Sequence, residues 1–476
     1  MIRTKVVATV GPACDSDIVL GRMIDAGVNV FRLNFSHGTI EGHGAALGRI
    51  RRAAAERGAI VAVLGDLCGP KIRLGEIAGG RCTLVAGRPV TFQRAAMVGT
   101  PERLSSSYPA LVDDVGVGDR ILIDDGNVLL RVTEKRQDEV VALCEVGGVI
   151  SDRKGINLPD SAVSSPSLTD KDRRDLEWIV GNGLDYVALS FVRRADDLAE
   201  LRAAISRCDP ASPARVVSKI EKPQAVEHIG EIIEASDVVL VARGDLGVEM
   251  DVSRVPIIQK ELAVACRQAG KPVIVATQML QSMVDSPVPT RAEVSDVANA
   301  ILDDADAVML SAETSVGQYP VQAVQMMRRI AGQTEAFTKR FGQPWSAAPA
   351  RKPPLARSVI HGASVVAEEL NAPLVVVWTL GSDAARLLSR HRLAAPIVAL
   401  TPNETACRQM SLLYGVVPVC QPEMDTPQMM LRNLDRLVTS RQLAAPGDQV
   451  VVVFDMRPEV PGETDAIVVH TVAGGA

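Results

Sequence analysis

Eight short runs of apolar, mostly β-branched residues recur along this chain, and they limit its possible folds more than any other feature. Segments with the periodicity of amphipathic helices lie between most of these runs. The runs cover residues 5–11, 28–36, 60–67, 186–192, 214–221, 237–246, 272–279 and 306–314. Apolar strands that alternate with helices are typical of parallel βα units, and eight such units close a barrel. We therefore predict an α/β protein built on a (β/α)8 TIM barrel.

Polar side chains lie at the end of nearly every run. They are Arg32, Asn34, Ser36, Asp66, Ser190, Lys219, Glu221, Asp245, Thr277, Ser311 and Glu313. One polar tip would be an ordinary solvated strand end. In a barrel, however, the carboxyl ends of all strands meet at one face, where barrel enzymes place their active sites. Polar tips on nearly every run therefore predict a shared pocket.

Two regions do not fit the barrel pattern. Residues 74–153 contain short alternating strands and turns, including Asp125-Gly126, a pair that suits a tight hairpin. We expect this segment to be a small β-barrel lid domain, inserted between barrel segments 1–73 and 154–335. A Pro/Ala-rich linker follows, and residues 355–476 alternate helices and strands again. The last segment is expected to be a three-layer α/β domain with a regulatory or oligomerisation role.

Composition excludes several classes of partner. The chain has 476 residues, of which 47% are apolar, and a net charge of −6 without blocks of like charge. This charge pattern argues against nucleic acid or a membrane surface as a partner. No stretch is long and apolar enough to span a bilayer, and the apolar run at the start is too short for a signal peptide. Eight scattered cysteines fit a reducing compartment, so we expect a cytoplasmic protein.

The polar tips also suggest a type of chemistry. Glu221 and Asp245 are hard oxygen ligands of the kind that magnesium prefers. Lys219 would stand beside that metal and stabilise negative charge that develops during a reaction. Arg32 and Arg73 carry planar guanidinium groups that suit phosphate. The chain has no Walker loop, no G-x-G-x-x-G after a strand and no H-E-x-x-H, so phosphoryl transfer on a barrel is the reaction class that we favour.

Ten stretches along the predicted barrel form a recognisable series. They read TKVVATVGPA, AGVNVFRLNFSHG, GPKIRLG, KGINLP, YVALSFVR, SKIEKPQAVEHI, VARGDLGVEM, ATQMLQSM, PTRAEVSDVANAI and DAVMLSAETSVGQYP. In this order they resemble the pyruvate kinase family. The resemblance covers the barrel nearly from end to end, whereas the lid and the C-terminal domain match more weakly.

The resemblance implies phosphoryl transfer from phosphoenolpyruvate to ADP, which gives pyruvate and ATP in the last step of glycolysis. It implies Lys219 as the stabiliser of the transition state, and Glu221 and Asp245 as ligands of Mg²⁺ or Mn²⁺. Substrate contacts in the family correspond to Arg32, Lys219, Gly244, Asp245 and Thr277. Thr277 also corresponds to a position near the enolate carbon that is protonated.

The remaining implied contacts concern the nucleotide and the assembly. Nucleotide and phosphate contacts correspond to Asn34, Ser36, His37, Arg73 and Lys154, and Arg73 joins Lys219 and Thr277 as a catalytic candidate. The family is usually a homotetramer whose third domain can bind a small-molecule effector. Many members also require potassium.

Lys71 departs from the family pattern at the potassium site. Many family members that need potassium carry a glutamate in GPEIR after DTK, whereas this chain reads DLCGPKIRLG, with Leu67, Cys68 and Lys71 at the changed positions. An ammonium group can take the electrostatic role of a monovalent cation, so we predict activity without potassium. The alternative is that Lys71 points to solvent and that the ion binds in a pocket of Asn34, Ser36 and Asp66.

A second departure lies in the C-terminal domain. Effector-regulated members often carry a T-x-S-G-R-T-A loop that cradles a phosphate. Residues 379–385 read TLGSDAA, with Asp383 in place of the arginine. A carboxylate repels phosphate, so sugar-phosphate binding at this loop is in doubt, and another effector or none is equally open.

Two rival functions keep the same barrel. A magnesium-dependent lyase or aldolase that forms a pyruvate enolate would need neither ADP nor a lid lysine nor Arg73. A non-catalytic protein that binds phosphorylated metabolites would be expected to have lost Lys219 or a metal ligand, and these residues are intact.

Overall fold

The computed structural model of the protein describes residues 1–341, 355–421, 427–455 and 464–473. The first part of the chain forms alternating strands and helices. In chain order they are β1 (Lys5–Thr9), α1 (Asp17–Ala26), β2 (Val30–Asn34), α2 (Ile40–Glu56) and β3 (Ala62–Asp66). Helix α1 begins where the Ser16 side chain accepts a hydrogen bond from the amide of Val19, and it ends at Gly27, whose left-handed backbone favours glycine.

The next segment forms the lid, with a core of its own. Its elements are β4 (Arg81–Leu84), β5 (Pro89–Gln93), β6 (Arg103–Ser105), α3 (Leu111–Asp114), β7 (Arg120–Ile123), β8 (Val128–Lys135), β9 (Glu139–Val146), β10 (Gly148–Ser151) and β11 (Ile156–Asn157). Strands β4 and β10 form one small sheet, and the other six form a second sheet in the order β11-β7-β8-β9-β5-β6. The predicted hairpin at Asp125-Gly126 joins β7 to β8, although its connection spans the four residues 124–127.

The chain then returns to complete the barrel. The elements are α4 (Asp170–Gly181), β12 (Tyr186–Leu189), α5 (Ala195–Cys208), β13 (Arg215–Ile220), α6 (Pro223–Glu227), α7 (Ile229–Ala235), β14 (Val238–Ala242), α8 (Arg243–Glu249), α9 (Val255–Ala269), β15 (Val273–Ala276), α10 (Arg291–Leu302), β16 (Ala307–Leu310), α11 (Ala312–Ser315) and α12 (Pro320–Phe341). Eight parallel strands close in the order β1-β16-β15-β14-β13-β12-β3-β2. The predicted barrel is confirmed, and each predicted run contains one of its strands. Helix α12 continues to Phe341, beyond the expected barrel limit at residue 335.

Alternation along each strand separates two apolar clusters. Val217 and Leu240 belong to a cluster inside the barrel, whereas Val216 belongs to the larger cluster between strands and helices. Because successive side chains point to opposite faces, Lys219 follows Val217 into the interior. Strand β13 therefore carries an apolar side chain low in the barrel and a charged one at its carboxyl end.

The described C-terminal residues form a second α/β unit. Its elements are α13 (Leu355–Glu369), β17 (Val375–Trp378), α14 (Asp383–Ser389), β18 (Ile397–Thr401), α15 (Glu404–Met410), β19 (Val416–Cys420), α16 (Pro427–Ser440), β20 (Gln449–Phe454) and β21 (Ala466–Thr471). One sheet, ordered β19-β18-β17-β20-β21, carries an apolar cluster on each face. Ile360 and Leu388 pack on one face, and Leu434 and Val438 pack on the other, which confirms the three-layer fold. The predicted linker, residues 341–354, lies outside the described residues except for Phe341.

No helix in the described ranges combines the length and apolarity that crossing a bilayer requires.

The C-terminal unit covers the amino-terminal end of the barrel. Leu412 joins the apolar cluster inside the barrel, and the Tyr186 hydroxyl donates to the carbonyl of Gln409 at 2.6 Å. At the same interface the Lys5 ammonium donates to the carbonyl of Val416 at 2.6 Å. The opposite end of the barrel is left open to the lid.

Lys5 makes the stability of this interface depend on pH. Burial lowers its pKa to about 7, with repulsion from Arg328 adding to the effect and attraction to Glu335 opposing it. The unfolded chain keeps this proton up to about pH 10.5, so it binds more protons than the folded protein between pH 7 and 10.5. The free energy of unfolding therefore rises with pH across this window. We expect the rise between pH 7 and pH 9 to be roughly 2–3 kcal/mol larger in the wild type than in Lys5→Met.

Urea unfolding of both proteins at several pH values measures this difference. Other titrating groups contribute equally to both proteins and cancel in the comparison. Parallel pH profiles for the two proteins would show that Lys5 is not the titrating group.

Candidate active site

Strand β13 places Lys219 at the centre of a buried cluster of charges. The Lys219 ammonium lies 2.8 Å from Oε1 of Glu221, 2.7 Å from the Ser190 hydroxyl and 3.4 Å from Oδ1 of Asp66. Only 9% of Lys219 is exposed. Burial lowers its pKa, but attraction to Asp66 and Glu221 outweighs burial and raises the pKa above its ordinary value. The lysine is therefore a permanent cation at physiological pH.

Arg32, on strand β2, completes this cluster. Its Nε donates to Oδ2 of Asp66 at 2.6 Å, and Nη1 donates to the Thr9 hydroxyl at 3.0 Å. Burial raises the pKa of Asp66, but Lys219 and Arg32 outweigh burial and hold the pKa below its usual value. Two cations and two carboxylates thus share one water-poor volume, where charges interact more strongly than in solution.

Glu221 and Asp245 lie close enough to interact electrostatically. Burial raises the pKa of Glu221, Asp245 raises it further, and Lys219 opposes the rise. The amide of Phe191 donates to Oε2 of Glu221 at 2.8 Å and orients the carboxylate. Excess negative charge at this position would be relieved by a bound cation.

The donor set fits magnesium. Mg²⁺ commonly binds one or two protein carboxylates and completes its octahedron with water and substrate oxygens. In the described residues, no group of three or more His, Cys, Asp or Glu side chains forms a ready-made metal site. Glu221 and Asp245 offer two carboxylates, whereas Oδ1 of Asp66 faces the Lys219 ammonium at 3.4 Å. The residues present therefore suit a divalent cation that shares its coordination with substrate.

Gly244 and Thr277 meet closely beside Asp245. The Gly244 amide donates to the Thr277 hydroxyl at 2.6 Å, and a Cβ at position 244 would lie 3.2 Å from that oxygen. Thr277 has φ of 70° and Gln278 has φ of 54°. Positive φ is unfavourable for a β-branched residue such as Thr277. Nη2 of Arg243 donates to the Thr277 carbonyl at 3.0 Å and supports this turn. Strained residues that are held in this way are common at functional sites.

A cleft between the lid and the barrel leads to these residues. Its lining includes Lys71, Arg73, Lys154 and Asp245. Nη1 of Arg73 donates to the carbonyl of Arg153 at 3.1 Å. Cationic side chains outnumber carboxylates in this lining, so the cleft carries a net positive charge.

Three further predicted residues lie on or just after strand β2. Asn34 pairs with Asp66 in the ladder between β2 and β3, and its side-chain oxygen accepts from the Ser36 amide at 3.1 Å. His37 is exposed, and its pKa is lowered by partial burial and by Arg73, Lys71 and Arg32. His37 therefore lies near cations that line the cleft.

The structure brings some predicted residues together and leaves others apart. Arg32, Asp66, Lys219 and Glu221 form one contact network. Lys154 lies in the cleft but is paired with Asp124 at 2.7 Å. A role for Lys154 at the nucleotide requires this ion pair to open or to share its ammonium.

Sequence reasoning missed residues that connect the site to the lid. Glu249, at the end of helix α8, accepts hydrogen bonds from Asn157 of strand β11 and from Lys222, which lies between β13 and α6. Each looks ordinary in the sequence, because Glu249 ends a short helix and Lys222 precedes a proline. Only their juxtaposition in the folded chain distinguishes them.

The fold and the site define a barrel enzyme with a lid, in which buried cations and carboxylates lie under a cationic cleft. The family profile described as pyruvate kinase, barrel domain matches residues 1–324, and that described as pyruvate kinase, alpha/beta domain matches residues 357–470. The chain therefore belongs to the pyruvate kinase family, and it is a phosphotransferase.

Individual relatives agree with this assignment. Pyruvate kinase from Agrobacterium vitis is 43% identical, over 97% of each chain. That from Mycobacterium tuberculosis is 41% identical, over 99% of this chain and 98% of the relative. A crystal structure of a pyruvate kinase from Cryptosporidium parvum superposes with a TM-score of 0.93 at 33% identity, over 99% of this chain and 96% of that chain.

Proposed function

We propose that the protein transfers the phosphoryl group of phosphoenolpyruvate to ADP, giving pyruvate and ATP in the last step of glycolysis. The observation that carries this proposal is the buried Lys219, held by Asp66, Glu221 and Ser190 below the cleft. The phosphorus bond to the enol oxygen breaks, and a new bond forms to a terminal phosphate oxygen of ADP. The enolate then takes a proton at carbon and becomes pyruvate.

Three side chains act on the transferring group in this proposal. Lys219 stabilises negative charge on the phosphoryl group and on the enolate oxygen, because a fixed cation in a water-poor site needs little reorganisation. Arg32 binds the phosphate of phosphoenolpyruvate with its planar guanidinium. Thr277 stands near the enolate carbon, and its hydroxyl, together with Gly244, shapes the contact with the substrate.

Glu221 and Asp245 would hold the divalent cation, Mg²⁺ or Mn²⁺. When bound, the cation supplies charge neutralisation and a template that orients substrate oxygens. The Phe191 amide keeps the Glu221 carboxylate in place for this task.

The nucleotide is proposed to bind in the cleft between the lid and the barrel. Arg73 is the central contact because it lines the cleft and is anchored to the carbonyl of Arg153. A polyphosphate would meet several cations there, which favours binding of ADP and ATP. The remaining proposed contacts are Asn34, Ser36, His37 and Lys154.

We infer that potassium is not required, because Lys71 supplies a cation near the site. Lys71 is exposed, lines the cleft and contributes to the lowered pKa of His37. The wild type is expected to work at nearly the same rate with and without potassium. Lys71→Glu should lose roughly tenfold without potassium and recover most of that loss when potassium is added, since one fixed charge at a reacting site is worth at least this much.

Steady-state rates in potassium and in tetramethylammonium salts measure this effect. Lys71→Gln is the matched control, because it removes the cation without adding a carboxylate. Strong potassium activation of the wild type would instead assign the ion to the pocket of Asn34, Ser36 and Asp66.

We also propose that the enzyme is cytoplasmic and that it forms a homotetramer. Asp383 begins helix α14, at the position where an effector phosphate would bind, and its carboxylate pairs with Arg386 at 3.1 Å. A carboxylate there repels phosphate and disfavours a phosphorylated effector at the C-terminal domain.

Pyruvate formation from phosphoenolpyruvate and Mg²⁺, with and without ADP, tests the function. We expect pyruvate only when ADP is present, with ATP formed in equal amount. Pyruvate without ADP would indicate a lyase or a phosphatase. Binding of Mg²⁺ and phosphoenolpyruvate without turnover would indicate a binding protein.

A further inference from the structure

Glu249 ends the short helix α8, which carries Gly244 and Asp245 at its start. Its side chain is almost completely buried, with 1% exposed. Oε1 accepts from the Asn157 side-chain amide at 2.7 Å and from the Lys222 ammonium at 2.5 Å. Oε2 is buried without a hydrogen bond. A buried carboxylate oxygen without a hydrogen bond destabilises the folded protein. We therefore look for a role of Glu249 other than stability.

One contact of Glu249 reaches the lid. Asn157 belongs to strand β11, and it pairs with Leu122 of β7 in the six-stranded lid sheet. A displacement of that sheet therefore changes the distance between Asn157 and Glu249. The hydrogen bond joins the lid directly to the helix that bears Asp245.

The other contact of Glu249 is with Lys222, next to Glu221 in the chain. Lys222 follows Glu221 in the chain, and its ammonium lies 5.7 Å from the centre of the Phe191 ring. The Phe191 amide is the donor that orients Oε2 of Glu221. Lys222 thus connects Glu249 both to the backbone next to Glu221 and to the residue that holds its carboxylate.

We propose that Glu249 is a positioning residue that couples the lid to the two metal-binding carboxylates. Movement of strand β11 reaches Asp245 through helix α8, and it reaches Glu221 through Lys222 and Phe191. When the lid is in place, the two contacts of Glu249 hold both carboxylates in the arrangement that receives the divalent cation. This coupling rests on the phosphoryl-transfer function proposed above.

Glu249→Gln tests the coupling, because it keeps the shape of the side chain and removes its charge. We expect the KM for ADP and the Mg²⁺ concentration for half-maximal rate each to rise about tenfold, as is typical when a residue that orients metal ligands is lost. We expect kcat at saturation to fall by less than roughly threefold, because saturating ligands restore the arrangement. Asn157→Ala removes the lid contact alone and should reproduce the rise in KM for ADP.

The double variant Asn157→Ala/Glu249→Gln should show less than the product of the single effects, because both changes break one link. Two readouts do not depend on turnover. Hydrogen exchange at residues 156–157 should become faster in Glu249→Gln, and Mn²⁺ titrated into the protein should bind more weakly. Asp138→Asn is the matched control, because it breaks an exposed ion pair with Arg94 elsewhere in the lid.

A lower thermal midpoint for Glu249→Gln, with unchanged KM values and unchanged Mn²⁺ affinity, would overturn the coupling and leave Glu249 a purely structural residue. If Glu249→Gln fails to fold, Asn157→Ala and Lys222→Met decide the matter: the first should weaken ADP and the second should weaken Mn²⁺. Wild-type protein that forms no pyruvate would refute the proposed function. Hydrogen exchange and Mn²⁺ titration would still test the coupling, because they do not depend on turnover.

Discussion

Lys219→Met is expected to lower the turnover of phosphoenolpyruvate and ADP by roughly a hundredfold or more, the usual effect of losing one preorganised stabiliser of transition-state charge. Methionine preserves most of the length and the apolar stem of the lysine. It removes the cation that lies 2.8 Å from Glu221 and 3.4 Å from Asp66. The loss should fall on kcat, because the variant keeps Arg32, the proposed contact of the substrate phosphate.

Steady-state kinetics with excess Mg²⁺ measure this loss, and far-UV circular dichroism checks that the variant is folded. Lys260→Met is the matched control: Lys260 forms an ion pair with Asp303 on the surface, away from the cluster. A Lys219→Met enzyme that retains a tenth or more of the wild-type kcat would remove Lys219 from the role proposed here.

Glu221→Gln is expected to raise the Mg²⁺ concentration for half-maximal rate by roughly tenfold to a hundredfold and to reduce the maximal rate as well, since the carboxylate proposed as a metal ligand is replaced by a weaker neutral donor. The change also removes one of the two carboxylates that hold Lys219. Direct Mn²⁺ titration, followed by electron paramagnetic resonance, separates metal affinity from turnover.

Glu231→Gln serves as the control for this change, because Glu231, on helix α7, is half exposed and contacts His228, which precedes the helix. It should bind Mn²⁺ as tightly as the wild type. Equal Mn²⁺ affinities for the wild type and Glu221→Gln would place the metal on other ligands.

Much of the fold could be predicted because the relevant signals are local. The eight apolar runs predicted the barrel strands, since a buried parallel strand needs continuous apolar residues. The two-residue period of a strand predicted that Lys219 and Glu221 point to the same side. The β-rich segment after the third run predicted the inserted lid sheets, although the exact end of helix α12 at Phe341 was not predicted.

The candidate site could be predicted as a set of residues, because polar strand tips in a barrel meet at one face. Their roles remain predictions that the experiments above address. Glu249 and Asn157 were not predicted, since one is a common residue at the end of a helix and the other lies in a two-residue strand.

The amino-acid sequence alone predicts the barrel, the face at which its polar strand ends meet and the charged residues of strand β13. Each of these predictions follows from hydrophobic periodicity within a few residues. Closure of the barrel alone brings Asp66 to Lys219, two residues that are far apart in the chain. The positive φ of Thr277 and the contact of Asn157 with Glu249 likewise depend on how distant elements pack. Such contacts depend on the register and tilt of the strands and on the position of the lid relative to the barrel. No local pattern of residues encodes them.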